Sequence, residues 1–268
     1  GRQTRGGLLE AQRNNSPMVK SSSSQRLDFE APIIELEKKI EELRTFAEST
    51  EVDLSGQIEK LVKKCDEKKR AIFNNLTPWQ KIQLARHPQR PLTTDIVKAI
   101  VADFIELYGD KAFRDDPAIL CGLGRIDDQR VLLVGHRKGK DTAEKVSCHF
   151  GSPHPEGYKK AMIKMKLADK FGVPIVTFIN TPGAYPGIGA EERGQAFVIA
   201  RNLMDMATLR VPVICVVIGE GGSGGALGIG VGNRIMMMEH SYYSVISPEG
   251  CAAILWKSAE YKETAAKI

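Results

Sequence analysis

A glycine-rich stretch in the last quarter of the chain is the clearest candidate for chemistry. The apolar, β-branched run from Val211 to Ile218 predicts a buried strand, which leads directly into GEGGSGGA at residues 219–226. Glycine lets the backbone take positive φ and lets a ligand approach it closely. A helix that starts here would turn its unpaired N–H groups toward the same place. We therefore predict a turn that binds or stabilises negative charge.

The first interpretation of these glycines is a dinucleotide-binding fingerprint. Gly219, Gly221 and Gly224 give the pattern G-x-G-x-x-G. The acidic Glu239 stands at the spacing of about 20 residues that the fingerprint expects. The fingerprint normally follows the first strand of its sheet, whereas several strands are predicted before this one. The interpretation is therefore disfavoured, although it stays an alternative.

The second interpretation is the nucleophile elbow of a serine hydrolase. Gly221, Ser223 and Gly225 give G-x-S-x-G, and Glu239 and His240 follow in the order that hydrolases use. Adjacent residues on a strand point to opposite faces, so Glu239 would not orient His240 as a base. An ordinary loop histidine explains His240 more simply. A hydrolase is the less favoured alternative.

The third interpretation needs no side chain. The backbone N–H groups of the turn would form an oxyanion hole for an enolate or a urea oxygen. Each such donor stabilises a transition state by about 3 kcal/mol. The competing structural explanation is a turn that needs small residues only for packing.

A repeat earlier in the chain favours the oxyanion hole. The sequence VPIV at residues 173–176 recurs as VPVI at residues 211–214, and each copy leads from a strand into a glycine turn and a helix. The turn of the first copy contains PGAY at residues 182–185. Neighbouring parallel strands would place both turns at the carboxyl edge of one sheet, facing one cleft. Two facing turns are harder to explain by packing than one.

The remaining hydrophobic patterns predict a helical arm followed by an α/β domain. Apolar residues three and four apart predict two amphipathic helices between Leu27 and Phe73, which would form an antiparallel pair. Thr77 and Pro78 are an N-cap and a first-turn proline for a short third helix. Further helices are predicted at residues 94–108, 159–171, 191–209 and 250–256, and strands at residues 119–126, 131–136, 173–179, 234–238 and 242–246.

Composition disfavours several classes of protein. The chain has 268 residues and a net charge of +5, but most of the excess lies in residues 1–26, so a nucleic-acid partner is not favoured. The five cysteines lie far apart with no histidine at ligand spacing, which predicts no metal site. No apolar run is long enough to span a membrane. We expect residues 1–26 to be a disordered tail, either added expression sequence or part of a transit peptide.

Two shorter segments have simple structural explanations. The basic loop RKGK at residues 137–140 lacks the spacing of a Walker A motif. We expect it to be solvated rather than to bind ATP, with anion recognition as the alternative. The three methionines at residues 236–238 are expected to fill the core rather than to bind a soft metal.

Four motifs resemble those of one enzyme family. They are VIGEGGSGGALGIG at residues 217–230, TPGAYPG at residues 181–187, SVISPEGCAAILW at residues 244–256 and ARHPQRP at residues 85–91. Together they are similar to the carboxyltransferase alpha subunits of multisubunit acetyl-CoA carboxylase. Asn180 stands where that family usually has Asp before Thr-Pro-Gly.

The resemblance implies a fold and a division into domains. It covers the chain from about Leu27 to its end. The expected fold is α/β and crotonase-like (ClpP/crotonase), built of repeated ββα units with an N-terminal helical extension. The arm would occupy residues 27–90 and the carboxyltransferase domain residues 91–268, and the family's chain continues into further C-terminal helices.

The resemblance also implies a reaction and the residues that serve it. The family transfers a carboxyl group from carboxybiotin, carried on the biotin carboxyl carrier protein, to acetyl-CoA. The product, malonyl-CoA, enters fatty-acid biosynthesis. The N–H groups of Gly224 and Gly225 would be the catalytic donors to the ureido oxygen of biotin. The implied biotin-side contacts are Gly183, Ala184, Tyr185, Gly221 and Gly222.

The same resemblance implies the partners and the location. A zinc-binding beta subunit would complete the active site at the interface of an α₂β₂ heterotetramer, while this chain would hold no metal. Biotin carboxylase would be the component that uses ATP. The expected location is the bacterial cytoplasm, with the plastid stroma as the alternative. A non-catalytic scaffold subunit of such a complex is the alternative function.

Overall fold

The computed structural model describes residues 27–50 and 52–268, which form a helical hairpin followed by an α/β domain. The expectation of a disordered tail at residues 1–26 lies outside the described residues. The α/β class and the helical extension predicted from the sequence are confirmed.

A mixed sheet organises the described domain. Its strands lie in the order β1-β2-β3-β4-β5-β6, and β7 pairs with the carboxyl end of β5. β1, β2 and β3 pair antiparallel, whereas β3, β4, β5 and β6 are parallel. The strands are β1 (Ala102–Glu106), β2 (Ile119–Ile126), β3 (Gln129–His136), β4 (Ile175–Thr181), β5 (Val213–Gly222), β6 (Arg234–Met237) and β7 (Tyr242–Ser244).

The helices begin largely where capping signals predict. The Oγ1 atom of Thr77 accepts a hydrogen bond from the Gln80 amide at 3.2 Å, and Ser247 caps the helix after it in the same way. The helices are α1 (Ala31–Thr50), α2 (Ser55–Phe73), α3 (Pro78–Ala85), α4 (Thr93–Ile100), α5 (Thr142–Ser147), α6 (Pro155–Lys170), α7 (Ile188–Glu192), α8 (Gln195–Met206), α9 (Ser223–Leu227), α10 (Pro248–Trp256) and α11 (Lys262–Ala265).

Helices cover both faces of the central strands. The larger core lies between one face and α6, α8 and α9, where Tyr158, Met165 and Val198 pack against β4 and β5. On the other face, Val97 of α4 packs against Leu133 and neighbouring strand residues. Burial on both faces explains why the parallel strands are continuous apolar runs.

The arm has a small core of its own. α1 and α2 pack antiparallel around Ile33, Ile40 and Cys65, as the helical periodicity predicts. The ring of Phe73, at the end of α2, lies 6.1 Å from the ring of His240 in the domain. His240 therefore lies against the arm.

The predicted helix at residues 94–108 is wrong in its second half. α4 ends at Ile100, and the chain continues as β1, which pairs with β2. The apolar residues in this segment fit a helical period, but several are β-branched or aromatic and suit a strand equally well. Pairing with β2, which is not local in sequence, decides the outcome.

Two further expectations need correction. The helix predicted at residues 191–209 is interrupted because Gly194 takes φ +80°, which separates α7 from α8. The methionines at residues 236–238 do not fill the core, since they are 50, 50 and 42% exposed. They lie on or beside β6, an edge strand of the described sheet.

Candidate active site

The repeated strands lie side by side, as the repeat predicts. β4 and β5 are parallel neighbours, and Ile175 pairs with Val213, so equivalent residues of the two copies face each other across the sheet. Both strands therefore deliver their turns to the same carboxyl edge.

The two glycine turns touch each other. A Cβ atom at Gly225 would overlap the backbone of Gly183 and Ala184, and a Cβ at Gly222 would overlap the carbonyl group of Pro182. Only glycine allows the two backbones to approach this closely.

A cavity of about 410 Å³ lies over the turns. Its walls come from both turns, from the start of α8 and from residues 245–247. Five of the residues predicted from the sequence line it, namely Gly183, Ala184, Tyr185, Gly224 and Gly225.

Gly221 and Gly222, also predicted as contact residues, do not line this cavity. Both belong to β5, which runs further than the sequence indicated, and both are buried. Gly221 packs against the ring of Tyr243, and Gly222 packs against Pro182. These contacts support the turn on the side away from the cavity.

The amides of Gly224 and Gly225 have the setting that an oxyanion hole requires. They are the second and third residues of α9, where N–H groups have no acceptor within the helix. Ser223 starts the turn with a left-handed φ of +50°. From the core side, the hydroxyl of Tyr158 donates to the Gly225 carbonyl at 3.0 Å. Two adjacent residues whose amides have no acceptor within the helix thus border the cavity.

The geometry does not favour the dinucleotide interpretation. Gly219 lies within β5, where a Cβ atom would stand 2.7 Å from the Asn180 Oδ1 atom, so this glycine serves strand packing. The side chain of Glu239 is 88% exposed. The glycines therefore do not form one phosphate-binding loop.

The hydrolase interpretation lacks a base. No hydrogen bond joins the Ser223 hydroxyl to an imidazole within residues 27–50 and 52–268. The His240 Nε2 atom lies 3.8 Å from a Glu239 carboxylate oxygen, and its ring faces Phe73. Glu239 and His240 thus pair with each other at the arm.

A buried ion cluster, which sequence reasoning missed, fixes the strand just before the turn. The Glu220 side chain is 5% exposed and accepts a hydrogen bond from Arg86 Nε at 2.6 Å. It also pairs with Lys138 and accepts a hydrogen bond from the Tyr242 hydroxyl at 2.8 Å. The Glu220 amide donates to Asn180 Oδ1 at 3.1 Å, which links β5 to the end of β4.

This cluster keeps Glu220 ionised. Burial alone would raise the pKa of its carboxyl group, but the charges of Lys138 and Arg86 hold that pKa below its ordinary value. Arg86 also donates to Glu249 at 2.6 Å, so it ties α3 to both β5 and α10. The sequence signal was the ARHPQRP motif at residues 85–91, which suggested no partner.

The basic loop is solvated only in part, at Lys140, whose side chain is 56% exposed. Lys138 is partly buried beside Glu220, with its side chain 18% exposed, and Arg137 donates to Glu106 at 2.8 Å. Lys140 pairs with Asp95. Carboxylates on three other elements neutralise the loop, which the local sequence did not indicate.

Tyr185 forms one wall of the cavity as part of an aromatic stack. Its ring lies 4.1 Å from that of His154 and 5.3 Å from that of His149. Burial, followed by the nearby charge of His149, lowers the pKa of His154 to about 4. Arg193 Nη2 lies 3.2 Å from His154 Nδ1, while its Nε donates to Glu156 at 2.7 Å. The stack is therefore uncharged at His154 near neutral pH and rigidly held.

Other features of the described part of the chain offer no competing site. No cluster of three His, Cys, Asp or Glu residues in it could hold a metal ion. None of its helices is both long and apolar enough to cross a bilayer. A larger groove of about 880 Å³ includes Val173, before β4 begins, and lies away from the turns.

Solved structures with the same fold define the class. The transcarboxylase 12S core, crystallised with methylmalonyl-CoA and methylmalonic acid, has a TM-score of 0.54 at 19% identity, covering 63% of this chain and 33% of its own. The beta subunit of geranyl-CoA carboxylase from P. aeruginosa has a TM-score of 0.54 at 20% identity, covering 71% and 37%. The fold is therefore the crotonase-like fold of carboxyltransferases.

Sequence comparison identifies the family. Residues 26–268 match the family described as acetyl co-enzyme A carboxylase carboxyltransferase-like. The alpha subunit of acetyl-CoA carboxylase carboxyl transferase from Syntrophotalea carbinolica is 58% identical over 90% of this chain and 76% of its own length. That from an Azoarcus species is 59% identical over 90% and 75%. This chain belongs to the acetyl-CoA carboxylase carboxyltransferase alpha family and is a transferase.

Proposed function

We propose that this chain, with a beta subunit, transfers a carboxyl group from biotin on a carrier protein to acetyl-CoA and so forms malonyl-CoA. The observation that carries the proposal is the contact of two glycine turns beside one cavity, in a chain of this family. The names of its relatives support acetyl-CoA as the acceptor.

The cavity suits the bicyclic head of biotin. Its volume of about 410 Å³ lies in the range of small-ligand sites. The close approach of Gly225 to Ala184 leaves backbone rather than side chains at its floor. When bound, biotin supplies the carboxyl group and a ureido nitrogen that can take up the proton of the acetyl methyl group.

The amides of Gly224 and Gly225 stabilise the charge that the transfer creates. With biotin bound, both amides would donate to its ureido oxygen, which would carry negative charge once the carboxyl group is transferred. Each donor contributes about 3 kcal/mol to the transition state. Tyr185, held by the stack with His154, closes one side of the cavity against water.

Two titratable side chains below the turns, those of His136 and Tyr158, are not suited to acid–base catalysis. Burial lowers the pKa of His136 to about 3, and burial raises the pKa of Tyr158 well above its ordinary value. Neither group exchanges a proton near neutral pH, which supports a backbone-based site. The polarisation of acetyl-CoA is assigned to the beta subunit.

The proposed assembly is an α₂β₂ heterotetramer with a zinc-binding beta subunit, served by a biotin carboxyl carrier protein and an ATP-using biotin carboxylase. A cytoplasmic location belongs to the proposal, with the plastid stroma as the alternative. The bacterial sources of the relatives support the cytoplasm.

Reconstitution tests the proposed function. This chain, the beta subunit and carboxylated carrier protein are mixed with acetyl-CoA, and malonyl-CoA is measured by mass spectrometry. We expect malonyl-CoA only when both subunits are present. Product formation by the beta subunit alone at the same rate would instead support the scaffold alternative.

The Ser223→Ala variant separates a backbone site from a serine nucleophile. We expect it to retain kcat/KM for malonyl-CoA formation within about threefold, because the substitution leaves every backbone amide in place. Steady-state kinetics of the assembled enzyme measure this. A loss of nearly all activity with intact folding would restore the nucleophile interpretation.

Deleting residues 27–73 tests the arm. The arm has its own core and approaches the domain through Phe73, so we expect the domain to fold without it but to bind the beta subunit at least tenfold more weakly. Sedimentation velocity of the mixture measures the association. An unchanged complex would show that the arm does not contribute to assembly.

A further inference from the structure

Gln195 has a buried amide oxygen without a partner beside the cavity. The residue starts α8, is 3% exposed, and lines the cavity together with Gly224 and Gly225. Its Oε1 atom accepts no hydrogen bond from any residue that the structure describes. A buried acceptor without a donor is unfavourable, so this position favours a ligand that brings an N–H group.

The orientation of the Gln195 amide is fixed by its other end. Nε2 donates to the Pro153 carbonyl at 2.8 Å, and the same carbonyl accepts the Tyr185 amide at 3.0 Å. A carbonyl can only accept, so a flipped amide would place two oxygens against each other. The nitrogen therefore faces Pro153, and the oxygen is the free atom. Gln195 is also tied to the turn that carries Tyr185.

The chemistry of a cyclic urea matches this arrangement. Its oxygen needs hydrogen-bond donors, which the backbone N–H groups of Gly224 and Gly225 provide. Its own N–H groups are donors as well, so they need an acceptor, which a backbone N–H group cannot be. When one ureido nitrogen carries a carboxyl group, one N–H remains and needs an acceptor. Glu191 also lines the cavity, but it is an exposed residue, whereas Gln195 is buried. Gln195 is thus the acceptor that desolvation favours.

We propose that Gln195 Oε1 accepts the N–H of the biotin ureido nitrogen that is not carboxylated, N3′. This hydrogen bond, with the two amides on the oxygen, sets which of the two nitrogens points to the acyl-CoA. The inference rests on the proposed function and adds a binding residue to it.

Binding of two probes tests the hydrogen bond. The assembled enzyme is titrated with biocytin and with biocytin methylated at N3′, without acyl-CoA, and each Kd is measured by ligand-observed NMR. We expect wild type to bind the methylated probe at least tenfold more weakly. Gln195→Met should bind biocytin at least tenfold more weakly and discriminate between the probes by less than twofold. The control Glu191→Gln should keep the wild-type discrimination.

A kinetic measurement tests the same hydrogen bond if the probes bind too weakly for a Kd to be determined. The ratio of kcat/KM for the two probes, each as carboxyl acceptor from malonyl-CoA, should show the same pattern without saturation. Equal values for both probes in wild type would overturn the inference even if Gln195→Met does not fold, and discrimination kept by Gln195→Met would overturn it as well. If the wild-type enzyme forms malonyl-CoA but gives equal Kd and kcat/KM values for the two probes, only this inference is refuted. If the wild-type enzyme forms no malonyl-CoA, the proposed function is refuted as well.

Discussion

Gly224→Pro is expected to lower kcat for malonyl-CoA formation by about 10²- to 10³-fold. The substitution removes one of the two amides that border the cavity. Proline in the first turn of a helix breaks no helical hydrogen bond, so we expect the chain to fold and assemble. The KM for acetyl-CoA should change little, because the partner subunit is assigned to bind it. Steady-state kinetics of the reconstituted enzyme give both values.

Gly224→Ala is the matched control for added bulk. It keeps the amide, and its Cβ would meet only Ile199 side-chain carbons, at 3.7 Å, which is ordinary contact. We expect a loss below about fivefold, since the donor remains. Equal losses in the proline and alanine variants would show that space, and not the amide, governs the rate.

Glu220→Gln is expected to lower the free energy of unfolding by about 3–5 kcal/mol. The substitution leaves Arg86 and Lys138 beside a neutral amide in a site where Glu220 is 5% exposed. Removing one partner of a buried ion cluster leaves charge without compensation. Urea unfolding of both chains near neutral pH measures the difference.

The same substitution at Glu239 is the control. Its side chain is 88% exposed, and among the described residues its ion-pair partner is His240, at 3.8 Å. Exposed pairs of this kind contribute little, so Glu239→Gln should leave the unfolding midpoint unchanged. Equal effects at Glu220 and Glu239 would contradict the role of the buried cluster.

The effect of Glu220 depends on pH in a defined direction. Its folded pKa lies below the ordinary value of 4.5, so its stabilising contribution is complete above that pH and is lost as the pH falls through the folded pKa. The difference in the free energy of unfolding between wild type and Glu220→Gln should therefore become smaller as the pH falls below 4.5.

Local sequence patterns were sufficient to predict the features that depend on neighbouring residues and on the backbone. Thr77 caps its helix as predicted, and the bounds of β2 match the predicted strand. The repeat gave the parallel pairing of β4 and β5, because two copies of one unit pack alike. The prediction that this turn offers amide donors came from its glycines together with the repeat, whereas Gly224 and Gly225 were implied by the family resemblance.

Features that depend on distant partners could not be predicted in this way. Lys138 pairs with Glu220, which lies 82 residues further along the chain, and no local sequence pattern indicates that pair. The Gln195 amide is oriented by Pro153, 42 residues before it. β1 forms by pairing with β2 although its own residues also fit a helix.

A structure of the assembled enzyme with biocytin bound tests the central claim most directly. We expect the ureido oxygen to lie about 2.7–3.1 Å from the amide nitrogens of both Gly224 and Gly225. A ureido oxygen held elsewhere, with these two amides turned to protein acceptors, would contradict it.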